Sequence, residues 1–148
     1  HLIEVAEMVA VADPGNVDLI VAALLHDAVE DAKKTKEEIA AIFGERVAGM
    51  VAEATDDKSL PKPERKRLQI ETTPKKSRDA KLLKLADKVS NLRSVALSPP
   101  SHWSDDRRRE YVTWATRVAE GAFGISDWLD KQFEEARELA LRHISQAA

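Results

Sequence analysis

Apolar residues recur along this chain at spacings of three and four, and no run alternates convincingly between apolar and polar, so the pattern predicts helices and no strands. A first helix is expected over Leu2–Ala12, closed by Asp13-Pro14-Gly15-Asn16, where proline and glycine both oppose continuation. A second is expected over residues 17–32. Through Leu19, Ile20, Val21, Ala22, Ala23, Leu24 and Leu25 it is apolar almost all round, which reads as a helix buried at the centre of the fold. Thr35 and Glu38 have the spacing of a capping box, and Gly44 stops the short helix they begin. The next helix runs through Val47, Met50, Val51 and Ala54. Residues 55–63 are polar and carry two prolines, hence a loop, and residues 64–71 form a charged helical turn or two. Ser77 can cap a long helix with the core stripe Leu82, Leu85, Ala86, Val89, Leu92 and Ala96, ended by Pro99-Pro100. Ser104 and Ser126 can cap the last two helices.

The expected fold is therefore all-α, and at 148 residues the chain suits one hydrophobic core better than two, so residues 1–148 read as a single helical domain. A hydrophobic fraction of 43% beside 33% charged residues excludes a disordered or fibrous chain. No apolar stretch is long enough to span a bilayer and no signal-peptide zones are present, so a cytoplasmic protein without membrane contact is expected. The absence of cysteine excludes disulfides and thiolate metal sites, leaving histidine and carboxylate as the ligands for any metal. A net charge of −3 argues against nucleic acid and for a small-molecule partner. Oligomeric state is not readable, with a homodimer one option. The chain begins at His1 and not at Met, from which a segment upstream is expected to be missing.

The anomaly is in the second helix, where Leu24-Leu25 is followed by His26-Asp27 and, after Ala28-Val29, by Glu30-Asp31. On a helix His26 stacks with Glu30 and Asp27 with Asp31, and the two pairs lie about 100° apart, forming one polar patch. Three carboxylates and an imidazole crowded into a mostly buried helix repel and desolvate one another unless a cation neutralises them. The bland alternative is a helix end emerging into water, its acids paired with Lys33 and Lys34. Two further residues favour the metal: His1 opens an apolar helical segment, and Asp87 sits beside the core stripe, a costly place for a lone acid.

A His, a His-Asp doublet and a later Asp resemble the ligand pattern of the HD-domain phosphohydrolases. The resemblance sharpens to the RelA/SpoT hydrolase domain, in its small stand-alone metazoan form. Three blocks carry it in order: Ala22-Ala23-Leu24-Leu25-His26-Asp27-Ala28-Val29-Glu30-Asp31, Thr55-Asp56-Asp57-Lys58 through Gln69, and Lys84-Leu85-Ala86-Asp87-Lys88-Val89-Ser90-Asn91-Leu92-Arg93. It extends through Tyr111 and Trp114 and fades after Gly124. The resemblance implies a single HD-domain bundle whose family N-terminal helix is missing before residue 1. It also implies a metal, Mn²⁺ with Zn²⁺ as the other option, held by His1, His26, Asp27 and Asp87, with Glu30 and Asp31 activating the attacking water. The implied substrate is guanosine tetra- or pentaphosphate, whose 3′-diphosphate is removed to give GDP or GTP and pyrophosphate. Imidazole and carboxylate ligation without thiolate suits either metal.

For the substrate, Lys58, Arg65 and Lys66, with Lys62 and Arg67, could neutralise phosphates or form a solvated surface. Asn91, one turn after Asp87, is implied to meet the ribose, and Tyr111 to reach the substrate. Trp103, Trp114 and Trp128 could stack a base, but aromatics at helical spacing are more often core and are left outside the expected site. Two alternatives remain open: the same metal site could remove a phosphate from NADPH or another nucleotide, or the domain could be a non-catalytic helical binding module. The latter has no reason to bear the cost of buried, unpaired carboxylates.

Overall fold

A computed structural model describes residues 1–27 and 34–147, with side chains described through residue 144. Among the described residues there are eight α-helices and no strand, as the three-and-four spacing predicts. They are α1 (Leu2–Ala12), α2 (Val17–Leu25), α3 (Lys36–Phe43), α4 (Glu45–Ala54), α5 (Lys62–Thr72), α6 (Arg78–Leu97), α7 (Asp105–Glu120) and α8 (Asp127–Ala147), with a 3₁₀ turn, Thr73–Lys75, after α5. No described helix is long and apolar enough to cross a membrane.

The helix starts follow from side-chain oxygens that accept otherwise orphaned amides. Thr35 and Glu38 form the reciprocal capping box of α3. Ser77, Ser104 and Ser126 accept from the amides of Ala80, Arg107 and Leu129 at the starts of α6, α7 and α8. Asn16, not singled out in the sequence, caps α2 through the amide of Leu19. Between α3 and α4 the chain turns at Gly44 with φ of 95°, a left-handed conformation that a side chain would strain.

The deepest helix is α6, with twelve of its twenty residues buried, and it packs along α8 on one side and against α1, α4 and α7 on others. The predicted stripe Leu82, Leu85, Ala86, Val89, Leu92 and Ala96 is buried throughout. The second helix differs from expectation. It is described as α-helical only to Leu25, its centre of burial is limited to Leu19, Ala22 and Ala23, and Val17 and Leu24 remain exposed at 64% and 44%. An all-round apolar sequence satisfies two neighbours but does not say which helix has neighbours on every side; the longer α6 does. His26 and Asp27 consequently stand in the turn after α2, at its C-terminal end.

Arg93 joins three helices, reaching Glu4 of α1 at 3.2 Å and Gln132 of α8 at 3.1 Å. On the opposite flank Arg46 bridges Asp18 of α2 and Asp79 of α6 at 2.9 and 2.8 Å. Gly121, just past α7, lies so close to Pro74 that an added Cβ would meet the proline ring at 2.9 Å. That approach presses the end of α5 against α7, and the two helices form one wall of the site.

Candidate metal centre and adjoining cleft

Helix ends and one buried helix bring the predicted ligands together. The carbonyl of Ala23, near the C-terminus of α2 where helical carbonyls run out of intrahelical partners, accepts from His26 Nδ1 at 2.7 Å. A carbonyl can only accept, so Nδ1 carries the proton and neutral His26 presents a bare Nε2. That nitrogen faces Asp87 Oδ1 at 3.3 Å and Asp27 Oδ1 at 3.4 Å. His1, just before α1, places Nε2 at 2.8 Å from the same Asp87 oxygen and Nδ1 at 2.9 Å from Ser90 Oγ. Ligand atoms of His1, His26 and Asp27 lie within 4.8 Å of one another. Asp87 touches both imidazoles, so residues from positions 1, 26, 27 and 87 gather in one cluster. Two imidazole nitrogens and two carboxylate oxygens aimed at each other fit a divalent cation, because in its absence the lone pairs repel unless a histidine takes a proton.

The surroundings of Asp87 strengthen that fit. Its side chain retains 17% exposure, and Lys88 Nζ and Asn91 Nδ2 reach its other oxygen at 3.4 and 3.3 Å. Burial alone would push the carboxyl up, but the Lys88 ammonium, the His26 hydrogen bond and Lys84 outweigh it and hold Asp87 ionised, well below the usual carboxylate range. Burial likewise disfavours charge on His26, yet Asp87, the Ala23 carbonyl and Asp27 together raise it above its ordinary value. Lys84 is buried and forms no ion pair with a carboxylate among the described residues; burial and the neighbouring Lys88 push its ammonium down to about 8, against the pull of Asp87 and Asp56.

This cluster lines a cavity of about 330 Å³ together with Ala54, Asp56, Gln69, Leu83, Lys84, Lys88 and Asn91. Asp56, Gln69, Lys88 and Asn91 also border a second cavity of about 750 Å³, so the two cavities adjoin and share these residues, together making up the cleft. The outer cavity is lined by cations, Lys62, Arg65, Lys66 and Arg107, and by the aromatics Trp103, Tyr111 and Trp114. Lys66 and Lys88 each lie 4.7 Å from the centre of the Trp114 ring, and Trp114 Nε1 donates to the Lys66 carbonyl at 3.0 Å. Burial raises the Tyr111 phenol, against the pull of Lys88, so it stays protonated as a hydrogen-bond donor.

Of the predicted substrate residues, Asn91, Arg65, Lys66 and Tyr111 border the cleft, whereas Lys58 is exposed and lines neither cavity. Glu30 and Asp31 lie outside the described residues. Sequence reasoning passed over Lys84 and Lys88, which are buried in the inner wall, and left Trp103 and Trp114 to the core although both face the cleft. The available signal for the lysines was their place on α6: Lys84 and Lys88 are one turn apart and flank Asp87.

This frame of helices and its clustered His and Asp residues match a known class: the HD domain profile aligns with residues 1–116, and the chain belongs to the HD-domain family, whose hydrolases are metal-dependent. More specific likenesses follow. The guanosine-3′,5′-bis(diphosphate) 3′-pyrophosphohydrolase MESH1 of Homo sapiens is 46% identical over 146 residues, spanning 97% of this chain and 76% of that protein. MESH1 of Drosophila melanogaster is 44% identical over 139 residues, 91% of this chain and 76% of its relative. The solved structure of a metazoan ortholog of SpoT, which hydrolyzes ppGpp, matches with a TM-score of 0.87 at 44% identity, covering 92% of this chain and 77% of that one.

Proposed function

We propose that this chain is a metal-dependent hydrolase that removes the 3′-diphosphate of guanosine tetra- and pentaphosphate, yielding GDP or GTP and pyrophosphate. The observation that carries the reading is the adjacency of the two cavities: the one that holds the His-carboxylate centre shares Asp56, Gln69, Lys88 and Asn91 with a basic, aromatic one. Its relatives' stated activity is the same, and the cleft's chemistry suits a purine nucleotide bearing phosphates.

In this reading His1, His26, Asp27 and Asp87 hold Mn²⁺, the donor set being equally acceptable to Zn²⁺. When bound, the cation supplies Lewis acidity towards a phosphoryl oxygen and lowers the pKa of an attacking water. His26 is kept in the ligating tautomer by the Ala23 carbonyl, and Asp87 is kept anionic by Lys88. Glu30 and Asp31, three and four residues beyond Asp27, accept the water's proton as oxygen attacks the phosphorus attached to the ribose 3′-oxygen. The bond from that phosphorus to the 3′-oxygen breaks, and the 3′-oxygen leaves with the electron pair and takes up a proton. Asn91 and Tyr111 orient the ribose, Arg65 and Lys66 neutralise the remaining phosphates, and Trp103 and Trp114 offer faces to the base. The helices beyond residue 116 belong to the same catalytic unit, a view supported by α8 packing along α6.

The direct experiment is hydrolysis of guanosine tetraphosphate by the purified protein with Mn²⁺ and with chelator, run beside phosphate release from NADPH. Metal-dependent release of pyrophosphate and GDP is expected. Phosphate from NADPH with no reaction on the alarmone would move the substrate to the other nucleotide, and silence on both would remove the hydrolase reading.

A further inference from the structure

The least explained group in the inner cavity is Lys84. It is only 6% exposed, and its ammonium has no hydrogen-bond acceptor among the described residues although it borders the cavity. The carboxylates nearby are already engaged. Asp87 serves His1, His26, Lys88 and Asn91, and Asp56 accepts from Gln69 Nε2 at 2.6 Å. A buried ammonium that has only through-space attraction from Asp87 and Asp56 among the described residues is costly, and an anion entering the same cavity offsets that cost. Lys88, one turn further along α6 and 4% exposed, borders the cavity too, so the two cations form a fixed pair on the wall that carries Asp87.

We infer that Lys84 is the seat of the outer phosphate of the substrate's 3′-diphosphate, so that the inner cavity distinguishes a diphosphate from a single phosphate at that position. This rests on the reading above, in which the scissile phosphorus lies at the His-carboxylate centre. The phosphate bonded directly to the ribose is met there, and the second one extends along α6 to the Lys84 ammonium, which has no hydrogen-bond acceptor among the described residues. A lysine suits this task as a compact point charge with three donors, and the burial of its stem fixes where the charge stands. The same contact makes released pyrophosphate a ligand of the enzyme, while orthophosphate, too short to reach both places, is a poor one.

The test is inhibition of guanosine tetraphosphate hydrolysis by pyrophosphate and by orthophosphate, at a fixed saturating level of free Mn²⁺, for the wild-type protein, Lys84→Met and Lys84→Arg. In the wild type pyrophosphate is expected to inhibit at about a tenfold lower concentration than orthophosphate, the size of one charge-assisted contact. Lys84→Met should abolish most of that preference and lower kcat/KM, while bound metal per protein and orthophosphate inhibition stay within about twofold. Lys84→Arg should keep part of the preference. Equal inhibition by the two anions in the wild type overturns the proposal, whether or not the variants fold. So does an unchanged preference in Lys84→Met, or a loss of metal there, which would mark a structural counter-ion. Failure of the preceding reading looks different: the wild type would not hydrolyse the alarmone at all, and calorimetry of pyrophosphate against orthophosphate on the Mn²⁺-loaded protein then decides the seat by the same tenfold criterion.

Discussion

At the inner cavity three of the clustered groups are fixed by something that folding itself requires: His26 by the end of α2, His1 by Ser90, Asp87 by its place on the deepest helix. At the outer cavity Lys62 and Arg107 are exposed, Arg65 and Lys66 are half-buried, and Lys66 and Arg107 rest on the aromatic faces of Trp114 and Trp103. Charges of the first kind act in a low-dielectric wall and cannot relax when a partner is lost, whereas those of the second are screened by water and salt. Chemistry is thus built where the fold is least deformable, and substrate grip where it can be adjusted cheaply.

The comparison breaks most visibly at Asp87. Asp87→Ala should lower hydrolysis by about a thousandfold or more through loss of the metal, and should destabilise the protein by about 3–5 kcal/mol because His26 and Lys88 lose their buried counter-charge. Metal content and thermal unfolding check both. Glu30→Gln with Asp31→Asn should cost about 10²- to 10⁴-fold in kcat while metal content and unfolding temperature stay at wild-type values. Full activity would remove these residues from the water-activating role.

A third test uses pH. The raised His26 contributes to the stability of metal-free protein below its ordinary value of 6.5, and that contribution is lost as pH rises through the folded value. Metal needs the neutral ring, so affinity should climb across the same window, by up to about tenfold per pH unit, as measured by competition with a chelator dye. The lowered Asp87 works in the other direction: its contribution is present above the ordinary carboxylate value of 3.8 and is lost as pH falls through the folded value. A flat affinity profile between pH 6 and 8 would mean that His26 does not bind the metal.

At the outer cavity effects should be smaller. Trp114→Leu removes the ring shared by Lys66 and Lys88 and should raise KM by roughly three- to tenfold with little change in kcat. Lys58→Ala should change KM less than about twofold at physiological salt, since the side chain is exposed and lines neither cavity. A large effect there would extend the cleft beyond its described walls.

Legibility in the sequence follows the same division. Helices α1, α6 and α7 could be placed from caps and periodicity because those signals are local: Ser77 and Ser104 act on amides three residues away. The His26-Asp27 doublet and Asp87 stood out because they interrupt apolar runs. What could not be read was how many sides of a helix are covered, so α2 was given the central place that α6 holds. Lys84 and Lys88 escaped for a related reason: lysine is exposed by default, and only the surrounding helices show that these two are buried. The aromatic lining of the outer cavity was hidden because Trp114 is spaced like a core residue and becomes part of a wall only when α5 and α7 are pressed together.

Helix α6 carries the central core stripe on one face and Lys84, Asp87, Lys88 and Asn91 on another. Backbone amides of that segment should therefore exchange with solvent deuterium only through opening of the whole domain, and rank among the slowest in the molecule. It follows that heating should not produce a folded but inactive form: catalysis and cooperative structure should vanish together, and on cooling they should return together.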